Sequence, residues 1–263
     1  MPIFYGTTKT EYEAMDGLRI SSVRAVMKNA ARYRHEQDNP TEEKHFTIGS
    51  AVHALLLEGG RDVVHVDFDD WKTAKARAAR DEALADGKYP LNNHEHAQAV
   101  AMADSLRAHP TVAKHLAAGH TEVSITGVDP TTWTPMKARL DILDIEARVI
   151  MDPKTSATLE PGDFATHAWR HGYHMAAAHY IEMAAQATNT DPDEWTFLFA
   201  VVEKTAPYLS YVTELDADSL EVGRRDRARG IEKYLECERT DKWPGYPTEV
   251  ITTRLPKWAF DLA

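Results

Sequence analysis

The chain has 263 residues, a hydrophobic content of 43% and a net charge of −11, because 41 acidic residues outnumber 30 basic ones. This composition is typical of a folded protein, and the length allows one large domain or two small ones. The single cysteine, Cys237, excludes an intramolecular disulfide framework, a cysteine zinc site and a four-cysteine iron–sulfur cluster.

The charge and the apolar segments also restrict the possible partners. No apolar run approaches the roughly 20 residues that span a bilayer, and residues 1–17 lack the features of a secretory signal, so we expect a cytoplasmic protein without membrane attachment. The negative charge disfavours nonspecific coating of nucleic acid. It does not exclude DNA chemistry, because binding needs only a local basic face and metal-dependent nucleases concentrate carboxylates at their site.

The first 120 residues are predicted to be mostly helical. A serine cap at Ser21 or Ser22 would open a helix that ends near Tyr33, and a charged loop would follow over residues 35–44. Further along, the pattern predicts a helix over 51–58 that stops at Gly59-Gly60, a strand over 63–68, a helix over 71–85 and two helices within 92–116 that are separated by Pro110.

From residue 121 onward the pattern changes to strands with helices between them. The predicted elements are strands over 122–126, 137–142 and 149–151, a helix over 161–187, strands over 196–202 and 208–215, a helix over 216–238 and an irregular tail. The sequence therefore predicts one α/β domain in which a central mixed β-sheet of four or five strands is flanked by helices. Residues 1–120 would form a helical N-terminal portion, 121–215 the sheet core and 216–263 a C-terminal helix and tail.

The stretch over residues 137–154 carries the most informative pattern. Strand alternation places Lys137, Arg139 and Asp141 on one face, and the opposite face takes Met136, Ala138, Leu140 and Ile142. A turn-sized segment over 144–147 predicts an antiparallel hairpin that brings Asp141, Asp152 and Lys154 to one end of the sheet. Two carboxylates beside a lysine suit a hard divalent cation and a phosphate, although an Asp-x-Lys pair at a strand edge is also a common surface ion pair.

Short motifs occur in a fixed order along most of the chain. They are Ile20-Ser21-Ser22, Gly49-x-Ala51-x-His53, Glu122, Lys137-x-Arg139-x-Asp141, Asp152-x-Lys154-Thr155, the segment over 202–208 and Trp243-Pro244-Gly245-Tyr246. This order resembles the PD-(D/E)XK nucleases, whose core is restriction-endonuclease-like. The nearest resemblance is to the RecE-type nuclease domain of exodeoxyribonuclease VIII, and the RecB nuclease domain is more distant.

The resemblance implies a metal site that holds Mg²⁺, with Mn²⁺ able to substitute. Asp141 and Asp152 would be carboxylate ligands, with the main-chain carbonyl of Pro153 within reach of the same ion. His53 would supply a nitrogen ligand, although a histidine on an apolar helix is also often a core residue. Glu122 would help to hold a metal directly or through water, or would be an exposed strand-edge residue.

The resemblance also implies residues that act on the substrate. Lys154 would contact the attacking water or the scissile phosphate. Tyr180 fits the tyrosine of the family's Gln-x-x-x-Tyr helix, but Ala176 stands where glutamine is expected. His174 and Gln186 are the candidates to replace that glutamine.

Contacts to the DNA backbone are predicted for Lys137 and Arg139, because these side chains share a strand face with Asp141. Two helices, over 72–80 and 224–229, carry more basic residues. Both also carry acids, so we interpret them as solvated faces.

The implied activity is 5′ to 3′ exonuclease digestion of linear double-stranded DNA in phage-type homologous recombination. The resemblance further implies a ring-shaped homo-oligomer and a single-strand-annealing recombinase as partner, in the cytoplasm of a bacterial host if a phage encodes the chain. Two alternatives remain open. One is an endonuclease or single-strand-specific nuclease of the same superfamily, and the other is a catalytically silent DNA-binding or assembly module, which the missing glutamine favours.

Overall fold

The structure is a computed structural model that describes residues 1–39, 47–157 and 161–255. Its elements are β1 (Ile3–Phe4), α1 (Lys9–Ala14), β2 (Leu18–Arg19), α2 (Ile20–Lys28), α3 (Ala30–Asp38), α4 (Ile48–Leu57), β3 (Val63–His65), α5 (Ala74–Ala85), β4 (Tyr89–Leu91), α6 (Asn93–Ala108), α7 (Pro110–Ala118), β5 (His120–Val128), β6 (Pro135–Asp144), β7 (Val149–Ser156), α8 (Pro161–His171), α9 (Tyr173–Thr188), β8 (Thr196–Glu203), β9 (Ser210–Glu214) and α10 (Ala217–Thr240). The predicted loop over 40–44 and the end of the predicted tail, residues 256–263, lie outside the described residues.

A mixed sheet organises the fold, as the sequence predicts. Its strands follow the order β1-β5-β6-β7-β8-β9, and β2 pairs with β6. Strands β5, β6 and β7 are antiparallel neighbours, whereas β7 and β8 are parallel because α8 and α9 form the crossover between them. The expectation of four or five strands was wrong, since two-residue strands such as β1 and β2 are too short to show alternation.

Helices cover both faces of this sheet and create two cores. Met175 and Ile181 of α9 pack with Phe199 of β8 on one face. On the other face, Val52 of α4 and Met102 of α6 pack against the sheet. The active-site candidates therefore lie between two well-packed layers, which hold the strands that carry them in fixed positions.

Two of the predicted helices are interrupted. The helix expected over 20–33 divides at Asn29, whose side chain accepts the N–H of Arg32 and so caps α3, which includes His35. No serine caps α2, because Ser21 and Ser22 already lie inside its first turn. The helix expected over 161–187 divides at Gly172, whose φ of +65° is a left-handed conformation that ends α8.

Other predicted boundaries are confirmed. Pro110 separates α6 from α7, and the glycine pair at 59–60, both with positive φ, follows the end of α4. The longest helix described, α10, begins after Asp216, whose side chain accepts the N–H of Ser219. None of the described helices combines the length and the apolar character needed to cross a membrane.

Candidate active site

Strands β6 and β7 separate from each other beside two aspartates. Their antiparallel pairing, which confirms the predicted hairpin, covers only residues 142–144 of β6 and 149–151 of β7. Beyond this point β6 continues alongside β5, and β7 continues alongside β8. Asp141 and Asp152 occupy the next position in the register, so they stand where the sheet forks.

The fork brings Asp141, Asp152 and Lys154 together. Lys154 Nζ donates to Oδ1 of Asp152 at 2.5 Å. Burial and the neighbouring Asp141 charge raise the pKa of Asp152 to about 7, because two carboxylates this close resist ionising together. Although burial disfavours its charge, the pKa of Lys154 is raised by the Asp152 and Asp141 carboxylates, so this side chain stays a cation.

His53 joins the fork from α4. Its Nε2 lies 3.3 Å from Oδ1 of Asp141 and 3.3 Å from Oε1 of Glu122. Burial opposes a charge on this ring, but Asp141 and the two nearby glutamates raise the pKa of His53 to about 11. The same contact keeps the pKa of Asp141 below its ordinary value although burial would raise it. In this structure an imidazolium thus balances the carboxylates.

A glycine allows α4 to approach the fork closely. A side chain at Gly49 would place its Cβ 3.0 Å from Oγ1 of Thr155 on β7. Helix α4 also begins against this strand, where Thr47 caps it by accepting the N–H of Ser50. The close approach sets the height of the helix above the sheet and therefore the position of His53.

Glu122 adopts a strained backbone opposite Asp141. Its φ is +54°, a left-handed conformation that costs a non-glycine residue about 1–3 kcal/mol and is most often found at functional sites. Its Oε2 lies 2.7 Å from Nε of Arg139. Its Oε1 is buried without a hydrogen bond, and burial raises the pKa of Glu122 to about 7. Glu122 therefore faces the site, where the strand-edge alternative would leave it exposed.

The alternation of side chains along β6 is interrupted at Asp141. The prediction that Ile142 shares a face with Met136, Ala138 and Leu140 was therefore wrong. Met136, Ala138 and Leu140 pack on the α9 side of the sheet, as expected. Ile142 instead packs on the α4 side, where His53 also contacts Asp141. Two consecutive side chains of β6 thus face α4 where the sheet forks.

The donor set suits a divalent cation. Donor atoms of His53, Glu58 and Glu122 lie within 4.8 Å of one another. The carboxylate oxygens of Glu122, Asp141 and Asp152 add the oxygen atoms that hard cations prefer. Ligation by His53 would require the loss of its ring proton.

Glu58 is a member of this group that the sequence reasoning missed. It follows the end of α4, five residues after His53, and its Oε1 lies 3.7 Å from Nδ1 of that histidine. Its position directly after the helix that carries His53 was the available signal.

A cavity of about 1240 Å³ opens beside the fork. Glu58, Pro153 and Lys154 line it, together with the cations Lys9, Arg61, Lys88 and Arg139. Arg139 thus lies at the site, although its guanidinium is paired with Glu122. The acids Glu13, Asp62 and Glu122 line it as well, and Lys88 Nζ lies 2.7 Å from Oδ1 of Asp62. The cavity is larger than a pocket for a small molecule, which suits a segment of a polymer.

Lys137 does not contact the site, which corrects the prediction that it binds phosphate. Its side chain is 5% exposed, and Nζ donates to the main-chain oxygens of Tyr12, Glu13 and Met15 at the end of α1. These bonds use the three donors of the ammonium group to fix α1. Lys137 is therefore a structural cation.

The proposed glutamine replacements also lie away from Lys154. His174 is buried, with Nε2 3.5 Å from Oδ2 of Asp226 on α10 and its ring stacked on Trp169, so the prediction that it binds substrate is wrong. Gln186 donates to Glu182 on its own helix.

Two tyrosines of α9 border the fork instead. Lys154 Nζ lies 5.0 Å from the ring centroid of Tyr173, a residue that the sequence reasoning did not select. Burial and the charges of Asp152 and Asp141 raise the pKa of Tyr180, whose ring stacks on Phe197. Tyr173 thus provides the contact to the lysine, whereas Ala176 is buried in the core.

Comparisons with known proteins bear on the family and the fold of the chain. The family described as "PDDEXK-like domain of unknown function (DUF3799)" matches residues 20–255. The crystal structure of a "putative exonuclease" from Eubacterium rectale is similar in fold, with a TM-score of 0.66, 15% identity and 98% of each chain covered. The structure of SSO0001 aligns over 81% of this chain and 84% of its own, with 11% identity and a TM-score of only 0.29. No curated protein matches the sequence.

Proposed function

Because the chain belongs to this family of PDDEXK-like domains, we propose that it is a Mg²⁺-dependent deoxyribonuclease that digests linear double-stranded DNA. The observation that carries the proposal is the contact between Lys154 and Asp152 beside Asp141, where the sheet forks. A lysine that is paired with one carboxylate beside a second, at the edge of a large polar cavity, is an arrangement for phosphodiester hydrolysis.

Most residues of the fork would be metal ligands. Asp141, Asp152 and Glu122 would hold the metal, together with His53 after it loses a proton and the main-chain carbonyl of Pro153. A bound Mg²⁺ supplies a Lewis acid that activates water and stabilises charge on the phosphate oxygens.

Lys154 orients the attacking water and offsets the charge that develops on the phosphate. Water forms the new bond to phosphorus and the bond to the 3′ oxygen breaks, so the products carry 5′ phosphates. Tyr173 covers one side of the lysine and limits its movement.

The finer part of the proposal is 5′ to 3′ exonuclease activity in phage-type recombination. The direction and the role in recombination are supported by the resemblance to RecE-type nucleases, and exonuclease activity also by the description of the Eubacterium rectale protein as a "putative exonuclease". The same resemblance supports a ring-shaped oligomer that acts with a single-strand-annealing recombinase in the cytoplasm of a bacterial host.

A catalytically silent DNA-binding module is the second candidate, favoured by the alanine at position 176. The contact of Tyr173 with Lys154 weighs against it, because the lysine retains a neighbour on α9 without glutamine.

Digestion of linear duplex DNA labelled at its 5′ or 3′ end tests the proposal. Wild-type protein should release the 5′ label first in Mg²⁺, and EDTA, Asp152→Ala or Lys154→Ala should abolish release. Cleavage of circular duplex would assign an endonuclease, and cleavage of single strands alone would assign a single-strand-specific enzyme. DNA binding without cleavage in Mg²⁺ or Mn²⁺ would favour the silent module.

A further inference from the structure

A group of cationic and histidine side chains lies where α2 meets the turn between α8 and α9. We call it the α2–α8 surface, and it consists of Arg24, Lys28, His167, Arg170 and His171. None of these residues belongs to the metal site or to the set that the sequence predicted for DNA contacts.

Close contacts connect this surface to the catalytic lysine. The stem of Arg24 lies over Gly172, where an added Cβ would approach the Arg24 side chain to 3.2 Å. The next residue, Tyr173, has its hydroxyl 3.5 Å from Nε2 of His167 and its ring 5.0 Å from Nζ of Lys154. One side chain, Tyr173, therefore separates the surface from the fork.

The surface is positive although the protein is strongly acidic. Asp163, in the first turn of α8, is a carboxylate on the helix face of His167 and Arg170. Among the described residues, no carboxylate forms an ion pair with Arg24, Lys28 or Arg170, whereas arginines elsewhere, such as Arg34 and Arg107, do have acidic partners. Burial lowers the pKa of His171, and the charges of His167, Arg24, Lys28 and Arg170 lower it further.

An exposed tryptophan lies on the same helix as His167 and Arg170. Trp169, on α8 beside Arg170, is 60% exposed, and its indole stacks on His174 with 4.9 Å between ring centroids. The histidine holds the ring in place while much of its surface remains available to solvent. Aromatic rings beside basic residues are a common platform for unpaired bases.

We infer that the α2–α8 surface binds the sugar–phosphate backbone of a single-stranded DNA end next to Lys154, and that Trp169 stacks on one of its bases. The inference rests on the proposed function and specifies the substrate as DNA with an unpaired end. The unpaired cations attract the phosphates, and the contact through Tyr173 places the bound strand beside the reacting phosphodiester.

Equilibrium binding to a duplex with a single-stranded overhang, measured by fluorescence anisotropy in EDTA, tests the surface without cleavage. The double variant Lys28→Glu/Arg170→Glu should weaken binding about tenfold or more at low salt. It should also reduce the slope of log K against log salt by about 1.4, because each lost phosphate contact with a single strand removes about 0.7 from the slope. Both side chains are exposed, so folding should be unaffected.

The control is Lys75→Glu/Lys114→Glu, which changes the net charge equally at exposed positions on α5 and α7. It should weaken binding less than about threefold and leave the salt slope unchanged, since the net charge acts only weakly on a bound strand. Equal losses in the two double variants would overturn the inference.

Stacking is tested separately. Trp169→Ala should weaken overhang binding about tenfold and blunt-duplex binding much less, and Trp169→Phe should restore most of the loss. Trp133→Ala, which removes another exposed tryptophan, is the control. If Trp169→Ala has no effect, or if wild-type protein binds no overhang DNA, the inference fails. The proposed nuclease function fails only if wild-type protein also cleaves no DNA in Mg²⁺ or Mn²⁺.

Discussion

Two regions of the molecule bury charged side chains, and they do so in opposite ways. In the fork, like charges lie together: Glu122, Asp141 and Asp152, with His53 and Lys154 between them. The second region, which we call the structural network, contains Asp129, Lys137, His179 and Arg227.

In the structural network each charged side chain has a partner of opposite charge or a hydrogen-bond acceptor, although Nη2 of Arg227 is buried without a hydrogen bond. Asp129 accepts the N–H groups of Thr131 and Thr132 and lies 2.9 Å from Nη1 of Arg227. Burial and Arg227 lower the pKa of His179 to about 3, so the ring is neutral. It donates from Nε2 to the Lys137 carbonyl and accepts the Nε–H of Arg227 at Nδ1.

The fork, by contrast, raises the pKa of two carboxyls to about 7. Buried charges with matched partners stabilise a fold. Buried like charges are tolerated where they bind a ligand or perform chemistry, and this difference separates the two regions.

The largest effect is expected for the partly buried Lys154, in comparison with the buried Lys137. Lys154→Ala should reduce cleavage about a thousandfold or more, because it removes the cation beside the reacting phosphate, and folding should be retained. Lys137→Ala should leave the cleavage rate of folded protein nearly unchanged and destabilise the fold, because three main-chain oxygens lose their donor. Single-turnover kinetics and urea unfolding of both variants measure this, and similar kinetic losses would contradict the comparison.

The next effect concerns the buried ion pair of the structural network. Asp129→Ala should lower the free energy of unfolding by about 3–5 kcal/mol, because Arg227 is left as an unpaired buried charge. Urea unfolding measures the loss. Adding Arg227→Met should recover part of it, and strictly additive losses in the double variant would show that the two side chains are not coupled.

Asp152→Asn should raise the free energy of unfolding, whereas Asp129→Ala should lower it. Because burial raises the pKa of Asp152 from 3.8 to about 7, its ionised form destabilises the metal-free fold. The native carboxyl holds its proton over a range in which the unfolded one has lost it, so wild-type stability from this group falls as pH rises from about 4 to 7.

The asparagine should therefore increase stability in EDTA on the order of 1 kcal/mol above pH 7, with little gain near pH 4, and should abolish cleavage. Urea unfolding across this pH range measures the gain. Asp144→Asn is the matched control. Burial raises the pKa of Asp144, but the contact with His115 lowers it, and the net pKa is below the ordinary value. Loss of this carboxylate should therefore destabilise the fold at neutral pH. A loss of stability in Asp152→Asn at pH 8 would contradict the assignment.

The smallest effect is expected at the contact between α4 and β7. Gly49→Ala should reduce activity severalfold by displacing His53 from the fork. Stability should change by less than about 1 kcal/mol, because the higher helix propensity of alanine offsets the crowding. Steady-state digestion with thermal unfolding measures both quantities. Adding Thr155→Ala removes the crowding atoms and should restore activity; an unrestored double variant would mean that the contact does not position His53.

The sequence alone determined the elements whose interactions are local. The hairpin of β6 and β7 could be predicted because a short turn and strand alternation fix its register, and this register already pairs Asp141 with Asp152. Pro110 and the glycines at 59–60 ended helices for reasons contained in their own backbone chemistry. His53 entered the site only through the resemblance, since a histidine on an apolar helix has several uses.

Tertiary structure decided which charged residues lie at the candidate active site and which ones stabilise the fold. Lys137 and Lys154 both lie on strands and have similar sequence surroundings. Lys137, however, donates its hydrogen bonds to main-chain oxygens at the end of α1, more than 120 residues earlier in the chain. Tyr173, Glu58 and Arg24 reach their places through packing between distant helices and strands. Such contacts depend on how whole elements pack, which local sequence patterns do not encode.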